Sequence, residues 1–158
     1  MKQCNLLNRA DPALKSLHEK LLTEITSFEY RSKRYHVNYS IAIYTSDEEI
    51  KLDLFQENIR KSDQYIFMQK NLYVVIFDST NEEQGGKAAN NILVNFENLY
   101  FSKSLFFSIV SSSNYADGSA MVYSLFSLLH YALVNNMNNI LIDDSQVVGK
   151  NNQWSKAG

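Results

Sequence analysis

Three residue types are scarce in this sequence of 158 residues, which holds one cysteine, one proline and five glycines. The single cysteine, Cys4, excludes an internal disulfide and any zinc site built from cysteine pairs. It also favours a reducing, cytoplasmic location. One proline, Pro12, and few glycines leave little chain for long flexible linkers. We therefore expect one domain, for which this length is sufficient.

The sequence also lacks a basic excess and a long apolar run. Its formal net charge of -2 gives no electrostatic reason to expect a nucleic-acid partner. No uninterrupted apolar run approaches the roughly 18 residues that suggest a membrane span, and the N-terminal residues lack the apolar core of a signal peptide. The apolar share of 45% and the charged share of 20% are ordinary for a soluble globular protein.

The spacing of apolar residues predicts alternating helices and strands. From Asp11 the spacing is three or four residues and predicts one helix that ends between residues 29 and 34; the recurring positions are Leu14, Leu17, Leu21, Ile25 and Phe28. Strands are predicted at residues 37–44, 64–68, 72–77, 105–111 and 140–142. The intervening helices are predicted to begin at Ser46, Thr80 and Ser119, the first two in capping boxes with Glu49 and Glu83.

The resulting order, α-β-α-β-β-α-β-α-β, predicts the fold class α/β (α+β). It indicates a palm-like, ferredoxin-related mixed five-stranded sheet with helices packed on it. The predicted domain covers residues 11–142. Residues 1–10 form an N-terminal segment without a strong periodic signal, and the polar residues 143–158 are expected to be a poorly ordered tail.

A predicted β-hairpin, preceded by charged residues, lies at the centre of this domain. Residues 59–77 read I-R-K-S-D-Q-Y-I-F-M-Q-K-N-L-Y-V-V-I-F, and with the element order they resemble the GGDEF domain of diguanylate cyclases. In that family a helix ends in R-x-x-D, and GGDEF occupies the hairpin turn and the start of the next strand. The resemblance extends from about Leu7 to Ile142: Leu7-Asn8-Arg9 is similar to the family's opening segment, and residues 136–140 are similar to its closing one.

The hairpin tip departs from the family motif. The five positions of GGDEF are here Gln69, Lys70, Asn71, Leu72 and Tyr73. The resemblance implies that Leu72 replaces the catalytic, metal-binding acid and that Tyr44 replaces the metal-binding aspartate at the end of the first strand. Because phosphoryl transfer needs carboxylate-held magnesium, we expect no cyclase activity, no catalytic residues, no metal site and no cofactor. The segment between Tyr44 and Asp63 is also too short for the family's pair of helices.

Arg60 and Asp63 keep the R-x-x-D pattern, which is the inhibitory cyclic di-GMP site of active family members. A guanidinium can bind a phosphate or a guanine edge, and a carboxylate can accept from guanine N–H groups. The resemblance therefore implies an inactive receptor or regulator that binds cyclic di-GMP through Arg60 and Asp63, similar to the shortened GGDEF receptor of the Pel exopolysaccharide system. A second arginine normally completes such a site, but the helix predicted at residues 82–100 offers only Lys87.

A purely structural interpretation of the same residues stays open. Arg60 at a helix end also satisfies terminal carbonyls, and Asp63 is also suited to cap a turn. Strand alternation places Tyr65 and Phe67 together on one face of the hairpin, and exposed aromatic residues favour a protein partner or a homodimer. The alternative function is an interaction or dimerisation scaffold without a nucleotide ligand.

Two further patterns do not indicate a phosphate-binding or metal site. Gly85-Gly86 precedes a lysine, but the pair lies in the first turn of a predicted helix and lacks the spacing of a phosphate-binding loop. The three histidines are widely separated along the chain and lack the spacing of a metal site.

Overall fold

The computed structural model describes residues 12–145. Its helices are α1 (Pro12–Glu24), α2 (Thr26–Tyr35), α3 (Asp53–Gln56), α4 (Glu82–Leu99) and α5 (Gly118–Val134). Its strands are β1 (Tyr39–Ser46), β2 (Gln64–Gln69), β3 (Leu72–Asp78), β4 (Leu105–Ser111) and β5 (Ile142–Asp143). The segment Leu7-Asn8-Arg9 and residues 146–158 of the predicted tail lie outside the described residues, whereas Asp143, the first residue of that tail, belongs to β5.

The five strands form one mixed sheet in the order β2-β3-β1-β4-β5. The central strand, β1, pairs antiparallel with β3 and with β4, while β5 runs parallel to β4. All residues of β1 are buried except Thr45, which is half-buried, as expected of a strand covered on both faces. The predicted fold class, a palm-like mixed sheet of five strands with packed helices, is confirmed.

Helices cover both faces of this sheet. On one face, α1, α2 and α5 enclose a core that includes Leu21, Ile43 and Phe126. On the other face, α3 and α4 enclose a second core that includes Tyr44 and Phe96. Successive residues of β1 contribute to opposite cores because side chains alternate along a strand.

The single helix predicted from Asp11 is wrong, since two helices meet at Ile25. The backbone of Ile25 has φ -90° and ψ 0°, outside the α-helical region. Its side chain is nevertheless only 1% exposed and packs in the same core as Leu21 and Phe28. The apolar spacing therefore continues across the junction, and periodicity alone does not reveal the break.

The predicted N-caps are also wrong. Ser46 is the last residue of β1, and the segment between β1 and β2 forms only the one-turn α3, which has no side-chain cap. The helix expected after Thr80 begins one residue later, because Asn81 forms the capping box with Gln84. The helix expected after Ser119 begins at Gly118, where the side chain of Asp117 is the cap.

Candidate functional site

The hairpin tip lies where the sequence predicts it, between β2 and β3. The chain turns at Lys70 and Asn71, and Asn71 has a left-handed φ of 61°, a conformation that asparagine tolerates better than most residues. A register shift between Phe67 and Gln69 marks an irregularity just before the turn. The turn geometry is therefore formed here without glycine.

Arg60 and Asp63 lie in the loop between α3 and β2, where they form a closed ion pair. Nη2 and Nε of Arg60 donate to the two carboxylate oxygens of Asp63 at 2.9 and 3.2 Å. The backbone N–H of Arg60 donates to the same carboxylate at 2.9 Å. The Asp63 side chain is 2% exposed and that of Arg60 is 55% exposed. The hydrogen bond to Asp63 raises the pKa of Arg60, so the guanidinium stays charged.

Asp78, the last residue of β3, joins this pair to the sheet. Its backbone N–H donates to Asp63 Oδ1 at 3.0 Å, and its carbonyl accepts from Arg60 Nη2. The loop that carries Arg60 and Asp63 is thereby bonded to the end of the hairpin through both residues. The structure thus gives Asp63 a structural role, and this role coexists with any ligand that Arg60 binds.

A second arginine reaches the same point from α2. Nη2 of Arg31 lies 3.1 Å from Asp78 Oδ1, and its guanidinium lies 4.9 Å from the centre of the Phe28 ring. Sequence reasoning looked for this cation on α4, but Lys87 of that helix forms an exposed ion pair with Glu83. A usable signal was present, because Arg31 follows Phe28 by three residues and so continues the apolar stripe of the first helices.

A shallow open depression borders the ion pair of Arg60 and Asp63 on the α3 side. Its volume is about 340 Å³, and its lining residues are Gln56, Ile59, Arg60, Lys61, Asp63, Gln64 and Tyr65. Nε2 of Gln56 donates to the Tyr65 hydroxyl at 2.6 Å, which fixes one wall. The depression combines an aromatic ring, amide groups and two cations, a composition suited to a polar anionic ligand.

The two positions that the resemblance assigns to metal-binding acids are buried in apolar surroundings. The Tyr44 ring is fully buried, stacks on Phe107 with 5.2 Å between ring centres, and donates its hydroxyl to the Ala89 carbonyl at 3.2 Å. This burial raises the pKa of Tyr44 well above 10.0. Leu72 is 5% exposed and belongs to the core on the opposite face of the sheet. Neither position can supply an oxygen ligand at the hairpin tip.

Other polar features of the described residues do not form a metal or phosphate site. Within residues 12–145, no three His, Cys, Asp or Glu side chains come together in a way that could hold a metal ion. Gly85 lies in the first turns of α4, where an added Cβ would lie 2.4 Å from Ser40 Oγ. Gly85 therefore serves close packing between α4 and β1. A wider groove of about 900 Å³ follows α4 beside β5, and its charged residues are Glu82, Glu83, Lys87 and Asp143.

Comparison with solved structures identifies the fold as that of GGDEF domains. The GGDEF domain of YfiN from Pseudomonas aeruginosa aligns with a TM-score of 0.67 at 11% identity, over 79% of this chain and 93% of that one. The active GGEEF domain of a diguanylate cyclase from Vibrio cholerae aligns with a TM-score of 0.61 at 17% identity, over 79% and 94%. The GGDEF domain of DgcB from Caulobacter crescentus, in complex with cyclic di-GMP, aligns with a TM-score of 0.61 at 9% identity, over 80% and 86%.

At these identities the likeness concerns the fold alone. No protein-family model matches the sequence, and no curated protein matches it. Among the helices of residues 12–145, none combines the length and the apolar character that crossing a membrane requires.

Proposed function

We propose that this chain is a catalytically inactive GGDEF-type domain that acts as a receptor for cyclic di-GMP, in signalling or in the regulation of exopolysaccharide secretion. The observation that carries the proposal is the half-exposed guanidinium of Arg60, held by Asp63 beside an open depression. In the matching Caulobacter crescentus structure a domain of the same fold is in complex with cyclic di-GMP. Asp63 contributes by fixing the orientation of Arg60 toward the depression.

The proposed inactivity rests on Tyr44 and Leu72. Two-metal phosphoryl transfer requires carboxylates at the reacting phosphates, whereas Tyr44 and Leu72 carry no carboxylate and are both buried. Incubation with GTP and Mg²⁺, followed by chromatography, should yield no cyclic di-GMP. The active Vibrio cholerae domain is the positive control, and steady product formation above the protein-free background would overturn the proposed inactivity.

Calorimetric titration with cyclic di-GMP tests the receptor function. We expect saturable binding that is lost in Arg60→Ala and strongly weakened in Asp63→Ala, because the second change releases the guanidinium from its fixed orientation. Lys87→Ala is the matched control, since Lys87 is 77% exposed and belongs to a surface ion pair on α4. Circular dichroism of each variant separates loss of binding from loss of fold. Absence of heat with the folded parent protein would overturn the receptor proposal.

A second candidate function is a protein-interaction or dimerisation scaffold without a nucleotide ligand. It is favoured by Phe67 on β2, whose side chain is 51% exposed beside Tyr73, with 5.6 Å between ring centres. Exposed aromatic rings are enriched at protein interfaces, so β2 is the place where a partner or a second copy would bind.

Sedimentation velocity over a concentration series distinguishes the two functions. If the chain is a scaffold, we expect self-association or partner binding that is weaker in Phe67→Ser and unchanged when cyclic di-GMP is added. The receptor interpretation expects Phe67→Ser to bind the dinucleotide as the parent does. A protein that binds cyclic di-GMP and stays monomeric at all concentrations would contradict the homodimeric scaffold.

A further inference from the structure

We infer that two copies of this chain associate through α4, with Phe101 of each copy entering the groove between α4 and β5 of the other. This surface differs from the edge of β2, on which the scaffold function above depends, and it is also separate from the site at Arg60. The inference rests on two features of one face of the molecule. These are an exposed aromatic side chain on a fixed turn and a groove that can receive it.

Phe101 lies in the turn between α4 and β4. It is 86% exposed, the largest exposed fraction among the large apolar side chains of residues 12–145. The turn that carries it is fixed, because the N–H of Lys103 donates to the Tyr100 carbonyl at 3.1 Å. The Tyr100 ring stacks on Phe96 with 4.8 Å between ring centres, and its hydroxyl accepts from the N–H of Lys51 at 2.8 Å. An aromatic side chain on an ordered turn loses little freedom on binding, and phenylalanine is enriched at protein interfaces.

The groove beside α4 provides an apolar surface for such a ring. Its volume is about 900 Å³, and its apolar lining comes from Gly86, Val94 and Leu141. Gly86 leaves space there, since an added Cβ would meet only Leu141 Cδ2, at 3.6 Å. Val94 is 48% exposed to solvent. A ring that covers these groups removes apolar surface of both molecules from water, which favours association.

The turn and the groove adjoin on the same side of α4, but the ring cannot occupy the far end of its own groove. Asn139 Nδ2 donates to the Lys103 carbonyl in the turn at 3.4 Å, and Leu141, two residues further along the chain, lines the groove. Gly86 lies 13 residues before the last residue of α4, about 20 Å along the helix axis. Phe101 therefore reaches the Gly86 end of a groove only in another copy.

An antiparallel pair of α4 helices brings both parts together twice. A two-fold axis that passes between residues 93 and 94 places Phe101 of each copy level with Gly86 of the other, because both residues are equally distant from that point along the chain. Val94 then lies beside the Val94 of the second copy. A two-fold interface sets one patch against itself, and this patch contains both the protruding and the receiving part.

The charges of the groove agree with this orientation. The groove is lined by three acids and one cation, namely Glu82, Glu83, Asp143 and Lys87. In the antiparallel arrangement, Lys103 follows Phe101 toward the N-terminal end of the other α4, where Glu82 lies. Lys103 is 48% exposed in a surface ion pair with Glu48, and such pairs contribute about 1 kcal/mol or less. The lysine is therefore available to the acidic end of the second groove.

Sedimentation velocity of the full chain over a concentration series tests the inference. We expect a reversible dimer whose dissociation constant rises by about tenfold or more in Phe101→Ser, because an anchoring ring is lost. Val94→Glu should weaken the dimer as well, because the axis brings the two introduced carboxylates together. Tyr35→Ser is the matched control, since Tyr35 is 61% exposed on α2, which covers the opposite face of the sheet. Tyr35→Ser and Phe67→Ser should both leave the dimer unchanged.

Oxidative cross-linking tests the position of the axis. In a chain that carries Cys4→Ser, which removes the single native cysteine, Val94→Cys should form an intermolecular disulfide under mild oxidation. Tyr35→Cys in the same background should stay unlinked, because a disulfide requires Cα atoms within about 7 Å of each other. Circular dichroism shows whether each variant is folded.

Four results would overturn the inference. They are a monomer at every concentration, a dimer that folded Phe101→Ser leaves unchanged, a dimer that Phe67→Ser weakens instead, and the absence of a disulfide in folded Val94→Cys. The third result would favour the edge of β2 as the interface. None of the four bears on the receptor function, because binding of cyclic di-GMP is measured separately by calorimetry.

Discussion

The carboxylate of Asp63 accepts the backbone N–H of Asp78 at 3.0 Å, and this hydrogen bond joins the loop before β2 to the end of β3. Asp63 thereby stabilises the hairpin from outside its two strands. An acid at this position contributes to folding even when no ligand is bound, and its effect on stability is measurable independently of any binding assay.

Asp63→Asn should lower the free energy of unfolding by about 2–3 kcal/mol. The substitution places amide protons against the donors of Arg60 and removes a charge that is bonded in a buried place. Urea denaturation provides the measurement. Glu83→Gln is the matched control, since it removes an acid from an ion pair in which both side chains are 77% exposed, and such pairs contribute about 0.5 kcal/mol or less. Equal effects of the two substitutions would contradict the structural role of Asp63.

The two adjacent glycines of α4 should respond oppositely to alanine. A Cβ at Gly85 would lie 2.4 Å from Ser40 Oγ and 2.8 Å from Ser40 Cβ, and Ser40 is fixed by a hydrogen bond to Ser111 Oγ at 2.9 Å. A Cβ at Gly86 would meet only Leu141 Cδ2, at an ordinary 3.6 Å. Gly86→Ala should therefore raise the free energy of unfolding by up to about 1 kcal/mol, because alanine has the higher helix propensity, and should raise the melting temperature accordingly. Gly85→Ala should lower both quantities. A stabilised Gly85→Ala variant would show that α4 and β1 are not in close contact.

Stability should fall at alkaline pH because Tyr44 is buried in its neutral form. Its pKa in the folded protein is raised well above 10.0 by burial. The stabilisation is therefore complete below pH 10 and is lost as the pH rises above 10, where the unfolded chain releases the proton and the folded chain keeps it. Tyr44→Phe should reduce the alkaline slope of unfolding free energy by about 1.4 kcal/mol per pH unit.

The same Tyr44→Phe variant should lose about 1 kcal/mol of stability at pH 7, because the hydrogen bond from the Tyr44 hydroxyl to the Ala89 carbonyl is removed. Tyr30→Phe, on a ring that is 58% exposed, is the control for removal of a tyrosine hydroxyl at pH 7. An unchanged alkaline slope in Tyr44→Phe would contradict the burial of this hydroxyl.

Lys20→Ala should increase aggregation of the folded protein. Lys20 Nζ donates to the Phe67 carbonyl at 2.7 Å, and so occupies a backbone acceptor on β2, an edge strand of the sheet. Lysines at such positions prevent edge-to-edge pairing. Light scattering during incubation near physiological salt measures the effect. Lys15→Ala, an exposed lysine of the same helix, removes the same charge and should scatter as the parent does.

The positions of the strands along the chain and the hairpin were predictable because they depend on local patterns, whereas helix starts depend on tertiary contacts. The sequence T-N-E-E-Q contains two overlapping capping boxes, Thr80 with Glu83 and Asn81 with Gln84. The structure uses the second because the Thr80 hydroxyl is buried and bonded to Ser40 Oγ and to the Phe77 carbonyl. No property of the local sequence distinguishes the two boxes.

The candidate site was predictable in part for the same reason. Arg60 and Asp63 are three residues apart and form their pair within one loop, so a short pattern finds them. Arg31 joins them only through Asp78, far along the chain, and that contact depends on how α2 packs against the sheet. The set of donors around the Asp63 carboxylate likewise depends on tertiary structure, because one of them is the backbone N–H of Asp78 in β3.

The central position of β1 also sets an order of events during synthesis. Residues 39–46 are made before either of the strands that pair with them, β3 and β4. Until the ribosome has extended the chain through residue 111, this apolar strand carries at least one unpaired edge. During that interval the nascent protein depends on protection at a strand that is enclosed on both faces once folding is complete.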